Sequence, residues 1–452
     1  MHLAKLTTIK YLSVLLITCS LQFTAFSQEN SPYSRYGLGD LTPNHNIISR
    51  GMGGIAAGYA SFQSINFINP ASYSYLSYLS YTRNLRLPTI FDIGAEADVK
   101  TLKSISPPDK FSATNLAISY LQLGLPVRMK KANKKGIFLG VNLGIKPVSK
   151  INYKSIKHER IAGVDSLVNT FEGSGGVNET YAGAGIRIKN FSIGFNIGYL
   201  FGNKDISSKK TFLNDSVSYY QSNSTSKTTF GGVFFNAGVQ YETVINKKGI
   251  LRVGAYGSLK NAMDASQDIR DETVIYDAAG AQYRVDSVYG KNKVKGKVVY
   301  PATYGIGFTY QDSAHWMFGA DFEGSNWTNY RFYDSPDSVQ NNWKIRAGAE
   351  YYPNKPTGKK YFNFVHYRAG FYYGHDYIRL NNNQLPEYGF TFGAGFPLKL
   401  RRSFYETQSS LLNAAFEIGS RGNKKSNVRE NIFRISIGLA LSDIWFSRAK
   451  YD

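Results

Sequence analysis

A group of charged side chains in the second half of the chain recurs at two-residue spacing inside apolar or glycine-rich runs. Asp321 and Glu323 stand in "HWMFGADFEGSNW", and Lys344, Arg346 and Glu350 in "NNWKIRAGAEYYPN". Arg368 follows two residues after His366 in "VHYRAGFYYG", and Glu417 and Arg434 come later. Residues two apart on an extended chain share a face, so each set projects to one side. Opposite charges on neighbouring strands can then pair across a sheet. Two chemistries fit. One is a charge ladder lining a polar interior, because buried charges persist only when paired. The other is capture of an anionic headgroup, such as a carboxylate, by an unbalanced arginine at 346 or 368. The residues alone leave both open.

Other chemistry is not indicated. His45, His158, His315, His366 and His375 lack metal-ligand spacing, and His366 and His375 are an odd number apart, facing opposite sides of a regular strand. The pairs Gly183/Gly185 and Gly393/Gly395 lie within strand-like runs with no helix after them, so they are not phosphate loops. No Ser-His-Asp arrangement has spacing support. No enzyme activity, cofactor or metal is therefore expected.

Residues 1–27 read as a secretory signal peptide. Lys5 and Lys10 supply the positive end, Tyr11 to Phe23 the apolar stretch, and Ala25 and Ser27 the small residues before a cut at Gln28. The single cysteine, Cys19, falls inside this leader, so thiol and disulfide chemistry are excluded from the mature chain. Removing the two lysines lowers the formal charge from +21 to about +19. Such a balance suits nucleic acid or an anionic surface. The cations cluster in short turns: Arg128, Lys130, Lys131, Lys134 and Lys135, then Lys247 and Lys248, then Lys355, Lys359 and Lys360, then Arg401 and Arg402. No aromatic stacking residues interleave with them, which argues against nucleic acid and for anionic headgroups.

The elements that position these residues are strands. In "PATYGIGFTY", Ala302, Tyr304, Ile306, Phe308 and Tyr310 alternate with Thr303, Gly305, Gly307 and Thr309, the period of a sheet with one apolar face. With 43 glycines, 34 tyrosines and 29 phenylalanines but only 19% charged residues, the chain suits many strands with aromatic rims. Mean hydropathy is −0.30, and no run beyond the leader has the roughly 18 apolar residues of a membrane helix. From 89 to 446 about fourteen alternating segments recur, too long for most soluble sheets but natural for tilted membrane strands. Every second connection is short, as at "QDSA" and "IKNF"; the others include long ones at 154–175, 205–224 and 263–292. Loop length segregated by parity predicts an all-β fold: a transmembrane antiparallel β-barrel over 87–452, with short periplasmic turns and long external loops. Its apolar faces meet lipid, since a closed sheet leaves no unpaired edge in hydrocarbon. Trp316, Trp327, Trp343 and Trp445 are expected in the aromatic girdles, and an even strand count predicts both termini at the periplasmic side.

Residues 28–86 differ, with weak alternation and much Gly, Ser and Tyr. Pro70 fixes a bend in "INFINPASY", and Gly51, Gly53 and Gly54 in "RGMGGIAAGYAS" allow tight folding against a wall. The run Asn69, Pro70, Ala71 with this glycine-rich lead resembles the N-terminal hatch of the FadL-type outer-membrane transporters of long-chain fatty acids and other hydrophobic compounds. Later segments are similar in the same order: "PATYGIGFTY", "HWMFGADFEGSNW", "NNWKIRAGAEYYPN", "YRAGFYYG", "EYGFTFGAGFPL" and "FRISIGLALSD". The resemblance implies a monomeric fourteen-stranded barrel whose residues 28–86 form a hatch or plug inside the lumen. It further implies passive, hatch-gated uptake of fatty acids or aromatic hydrocarbons at the outer membrane of a Gram-negative bacterium, with a sideways exit through the wall. Expected partners are outer-membrane lipid and lipopolysaccharide, the hydrophobic substrate, and the barrel-assembly machinery during insertion. Some relatives of this fold dock proteins in type IX secretion systems, which keeps the barrel and changes the function. The stretch "SPYSRYGLGDL" at 31–41 has no counterpart in the transporters, and no fatty-acid pocket residues match by motif.

Overall fold

The structure, a computed structural model, describes residues 31–82, 89–105, 108–127, 129–161, 165–213, 220–245, 249–277, 281–312, 315–353, 360–380, 383–398, 409–423, 426 and 428–443. The leader, most of the lysine-rich turns and Trp445 lie outside these residues.

A two-residue strand, β1 (Asp40–Leu41), precedes the barrel. The wall then runs through β2 (Thr89–Ile105), β3 (Pro108–Val127), β4 (Ile137–Ile161), β5 (Asp165–Ile188), β6 (Phe191–Phe212) and β7 (Gln221–Ile245). One wall strand follows as β8 (Gly249–Ser258) continued by β9 (Asn261–Tyr276), and the next as β10 (Gln282–Tyr300) continued by β11 (Thr303–Asp312). After β12 (Trp316–Ser325) comes a two-residue strand, β13 (Arg331–Phe332). The wall is completed by β14 (Asn342–Tyr351), β15 (His366–Leu380), β16 (Asn383–Pro397), β17 (Ser409–Arg421) and β18 (Val428–Asp443). Strand β18 pairs with β2 from Val428↔Ser104 to Asp443↔Thr89, which closes an antiparallel barrel of 14 strands. The alternation dictates which face meets lipid: Phe433, Ile437 and Leu441 are exposed on β18, while Arg434, Ser436 and Ser442 are buried.

The wall is uneven in height. Strands β4 and β7 have 25 residues each, whereas β12 and β14 have 10. About 9–11 residues suffice to cross a bilayer, so β4 to β7, with β9 and β10, rise past the hydrocarbon as hairpins. Here the sequence expectation of loops at 154–175, 205–224 and 263–292 is corrected. The described residues of those stretches pair in ladders, for example Lys154↔Glu172 and Lys227↔Asp205. They escape the alternation rule because polar residues fall on both faces, as at Lys209 and Lys210 or Asp271 and Glu272, while backbone pairing continues.

Two further expectations are corrected. Trp327 is not a girdle residue: it is 1% exposed in the turn Trp327–Asn329 and stacks on Tyr377 at 4.1 Å between ring centres. Its turn lies outside the strand period, so parity could not place it. The barrel's own ends do lie together, Thr89 facing Asp443. Ser31, however, sits at the opposite rim, its N–H donating to the Asn152 carbonyl and its hydroxyl to Glu430. The N-terminal segment therefore spans the barrel interior from the tall-hairpin end to the short-turn end.

Candidate functional site: the filled lumen and a break in the wall

Residues 31–78 line the inside of the barrel and are mostly buried. Near the short-turn end, Asn69 caps the turn Pro70–Ser74, accepting the Ala71 N–H at 3.2 Å. Its amide donates to the carbonyls of Ala57 (2.8 Å) and Val239 (3.2 Å). Pro70 and Ala71 press on the backbones of Gly185 and Gly194, where any Cβ would collide. Small wall residues let this knob seat, and Ala71 is fully buried. Further along, Gly53 has φ +70° and lies against the Ala347 and Phe371 carbonyls, so only glycine fits without strain. Its N–H donates to Thr391 Oγ at 2.8 Å. Gly51 ends the helical turn Ile47–Arg50 against Gly393, and Gly54 packs on the Arg346 guanidinium. The sequence-chosen glycines and the Asn-Pro-Ala run thus all contact the wall.

The chosen charges fall on the lumen side and are held in separate pairs and small groups. Asp321 accepts the N–H groups of Ala56 and Ala57 at 2.6 and 2.8 Å, tying the N-terminal segment to β12. Arg346 pairs with Glu323 at 3.2 Å, and Lys344 with Glu387 at 2.8 Å. Glu350 takes Arg368 at 2.6 Å and His366 at 3.1 Å. Arg434 bridges Glu417 at 2.8 Å and Asp98 of β2. Neither Arg346 nor Arg368 is unbalanced, each having a carboxylate of its own. This satisfies the rule that a buried charge needs a partner.

Several ion pairs lie beyond those chosen from sequence. Arg50 of the N-terminal segment binds Glu96. Arg187 and Arg252 share Glu242 near the short-turn end. Asp40 binds Lys100 at 2.9 Å and Arg421 at 2.9 Å, and Arg421 also contacts Asp376 at 3.1 Å and Glu430. Between these groups lies a cavity of about 190 Å³ whose lining includes Asp40, Lys100, Glu323, Arg346, Arg421 and Arg434. It is polar and nearly charge-balanced. No group of three or more potential metal ligands occurs among the described residues.

The wall is incomplete at one seam. Strand β4 pairs with β5 along nearly its whole length, but β3 meets β4 only from Leu121↔Ile145 to Val127↔Leu139. A register shift in the β2–β3 ladder, at Gly94/Ala95, bends β3 there. Beyond it, Leu116 and Ile118 are strongly exposed. The freed edge of β4 is taken by the N-terminal segment, with Asp40↔Lys150 and Leu41↔Ser149. Next to the seam, where β3 and β4 are still paired, an open apolar trench of about 750 Å³ runs past Leu121, Leu123, Leu143, Ile145, Ile197 and Val233.

A family model described as BamG matches residues 8–452. The chain belongs to the BamG family. No curated protein matches this BamG-family chain. Among solved structures, a Pseudomonas aeruginosa FadL homologue aligns with a TM-score of 0.56 at 12% identity, covering 90% of this chain and 100% of that one. The Pseudomonas putida toluene transporter TodX aligns at 0.53 and 14%, covering 90% and 100%. The monoaromatic hydrocarbon channel CymD aligns at 0.50 and 13%, covering 90% and 98%. At these identities the likeness is one of fold. The BamG-family chain therefore shares the barrel fold of these FadL-type channels.

Proposed function

We propose that this protein is a passive outer-membrane channel for small hydrophobic compounds, closed in this state by its N-terminal hatch. The seam between β3 and β4 carries the reading. An alkyl chain forced through the charged cavity would forfeit the roughly 0.8 kcal/mol per methylene that an apolar surface supplies. A route that leaves the lumen sideways, past Leu116 and Ile118 into the apolar trench, avoids that loss. The fold shared with hydrocarbon channels supports the same reading. Fatty acids and aromatic hydrocarbons are the substrate classes to test. Deleting Asn69–Ala71 should unseat the hatch and alter uptake of a labelled long-chain or aromatic hydrocarbon by cells, while heat-modified gel migration still reports a folded barrel. Unchanged uptake by the folded variant contradicts the proposal.

A second reading is a barrel that docks another protein, as a component of a secretion apparatus such as type IX. Two observations favour it: Asp40 and Arg50 tie the hatch to the wall by ion pairs, and the hairpins of β4 to β7, β9 and β10 present a tall surface beyond the membrane. Gentle detergent extraction separates the readings. A co-purified lipid or hydrocarbon supports the channel, and a stoichiometric protein supports docking.

A further inference from the structure

The stretch Ser31–Thr42 lies along the edge of β4 where β3 has departed. Thr42 donates its N–H to the Val148 carbonyl at 3.0 Å and its hydroxyl to the Pro147 carbonyl at 2.9 Å. Leu41 and Asp40 face Ser149 and Lys150. Ser149 donates its hydroxyl to the Leu38 carbonyl at 2.6 Å, and the Asn152 N–H donates to the Ser34 hydroxyl at 3.1 Å. Gly39, at φ +94°, sits so close to the Lys150 carbonyl that no side chain fits. The segment thus behaves as a short surrogate strand, satisfying backbone groups that an open edge would leave unpaired.

Its other side is held by charge. Asp40 reaches Lys100 on β2 and Arg421 on β17, so it spans from the β4 edge to the far side of the seam. Arg421 is 7% exposed and is surrounded by Asp40, Asp376 and Glu430, with the Ser31 hydroxyl at 3.3 Å. One arginine therefore neutralises carboxylates from the segment and from two wall strands. Two structural elements meet there: a strand-accepting edge that is filled, and a latch that fixes the filling.

We propose that the β4 edge at Pro147–Asn152 is a strand-accepting site, that Ser31–Thr42 is the gate strand occupying it, and that Arg421 is the latch residue holding the strand in place. Release of the gate strand opens the seam; this rests on the channel reading for its purpose but not for its geometry. Arg421 acts through Asp40 and touches no cargo, so it is a positioning residue.

The test uses the full-length protein with Leu41→Cys and Ser149→Cys. These positions face each other across an antiparallel pair, where Cα separations of about 4.5–5.5 Å suit a disulfide. Mild oxidation should cross-link the pair nearly completely. Adding Arg421→Gln should slow cross-linking about tenfold or more, because the carboxylates lose their counter-ion. Asp40→Asn, which keeps the arginine, should slow it less and serves if the arginine variant does not fold. Equal cross-linking rates in a folded latch variant, or failure of the parent pair to cross-link, overturn the gate. Passage of a hydrophobic fluorescent probe is then compared before and after reduction. The proposal expects passage only in the reduced form; equal passage in both forms overturns it. No passage in either form, with the latch effect intact, contradicts the channel reading and leaves the gate strand established by its cross-linking.

Discussion

The two ends of the N-terminal segment are held by different forces. The Asn69–Ala71 knob is neutral and close-packed: it sits on glycine backbones, is capped by its own asparagine, and makes no ion pair. The Ser31–Thr42 stretch is held by an edge ladder and by charges converging on Arg421. Close packing tolerates almost no displacement. An edge ladder with one ionic latch has a discrete broken state. The knob accordingly reads as the fixed end and the gate strand as the end that moves.

The largest effect is expected at the latch. Arg421→Met should destabilise the folded barrel by about 3–5 kcal/mol, since it strands buried carboxylates without a counter-ion. Urea unfolding followed by gel mobility measures it, and a loss under about 1 kcal/mol would mean that the latch bears no load. Next comes the knob: Gly194→Val would drive a side chain into Pro70 and Ala71, costing about 3 kcal/mol by overpacking. Asn69→Ala removes the cap and the bond to Ala57 and should cost about 1–3 kcal/mol. If Asn69→Ala instead cost more than Arg421→Met, the ionic latch would not be the stronger of the two holds.

The smallest effect is expected in the tall hairpins. Lys154 holds the Glu172 carboxyl below its ordinary range, chiefly by a hydrogen bond. A depressed carboxylate contributes stability at neutral pH and loses it as pH falls through the folded-state value. Lys154→Gln should raise that value toward normal, seen by titration of the Glu172 carboxyl carbon. Its stability cost should stay below about 1 kcal/mol because the pair is partly exposed.

Much of this architecture was legible in the residues. Alternation in β11, β12, β14 and β18 gave the lipid face and the inward charges, because a membrane wall imposes one apolar and one polar side. Asp92, Glu96, Asp98 and Lys100 in "DIGAEADVK" carry the same spacing in β2 and are readable by the same rule. Their partners Arg50 and Asp40 are not, since irregular backbone has no period to place them. Trp327 misleads for that reason. The tall hairpins were hidden because polar residues on both faces, as at Asp271 and Glu272, remove the alternation. The seam left one trace, the switch of apolar positions in β3 from Leu116 and Ile118 to Leu121 and Leu123 across the bulge, but the competition by β1 for the edge of β4 has no period to show it.

Hydrogen exchange on the unmodified protein in detergent tests the central assignment most directly. The amides of Leu41 and Thr42 should exchange measurably ahead of those of Ala71 and Ser72, while both stay slower than an unfolded chain. Exchange of Ala71 and Ser72 first, or no protection at either end, would contradict a filled lumen with a fixed knob and a movable gate strand.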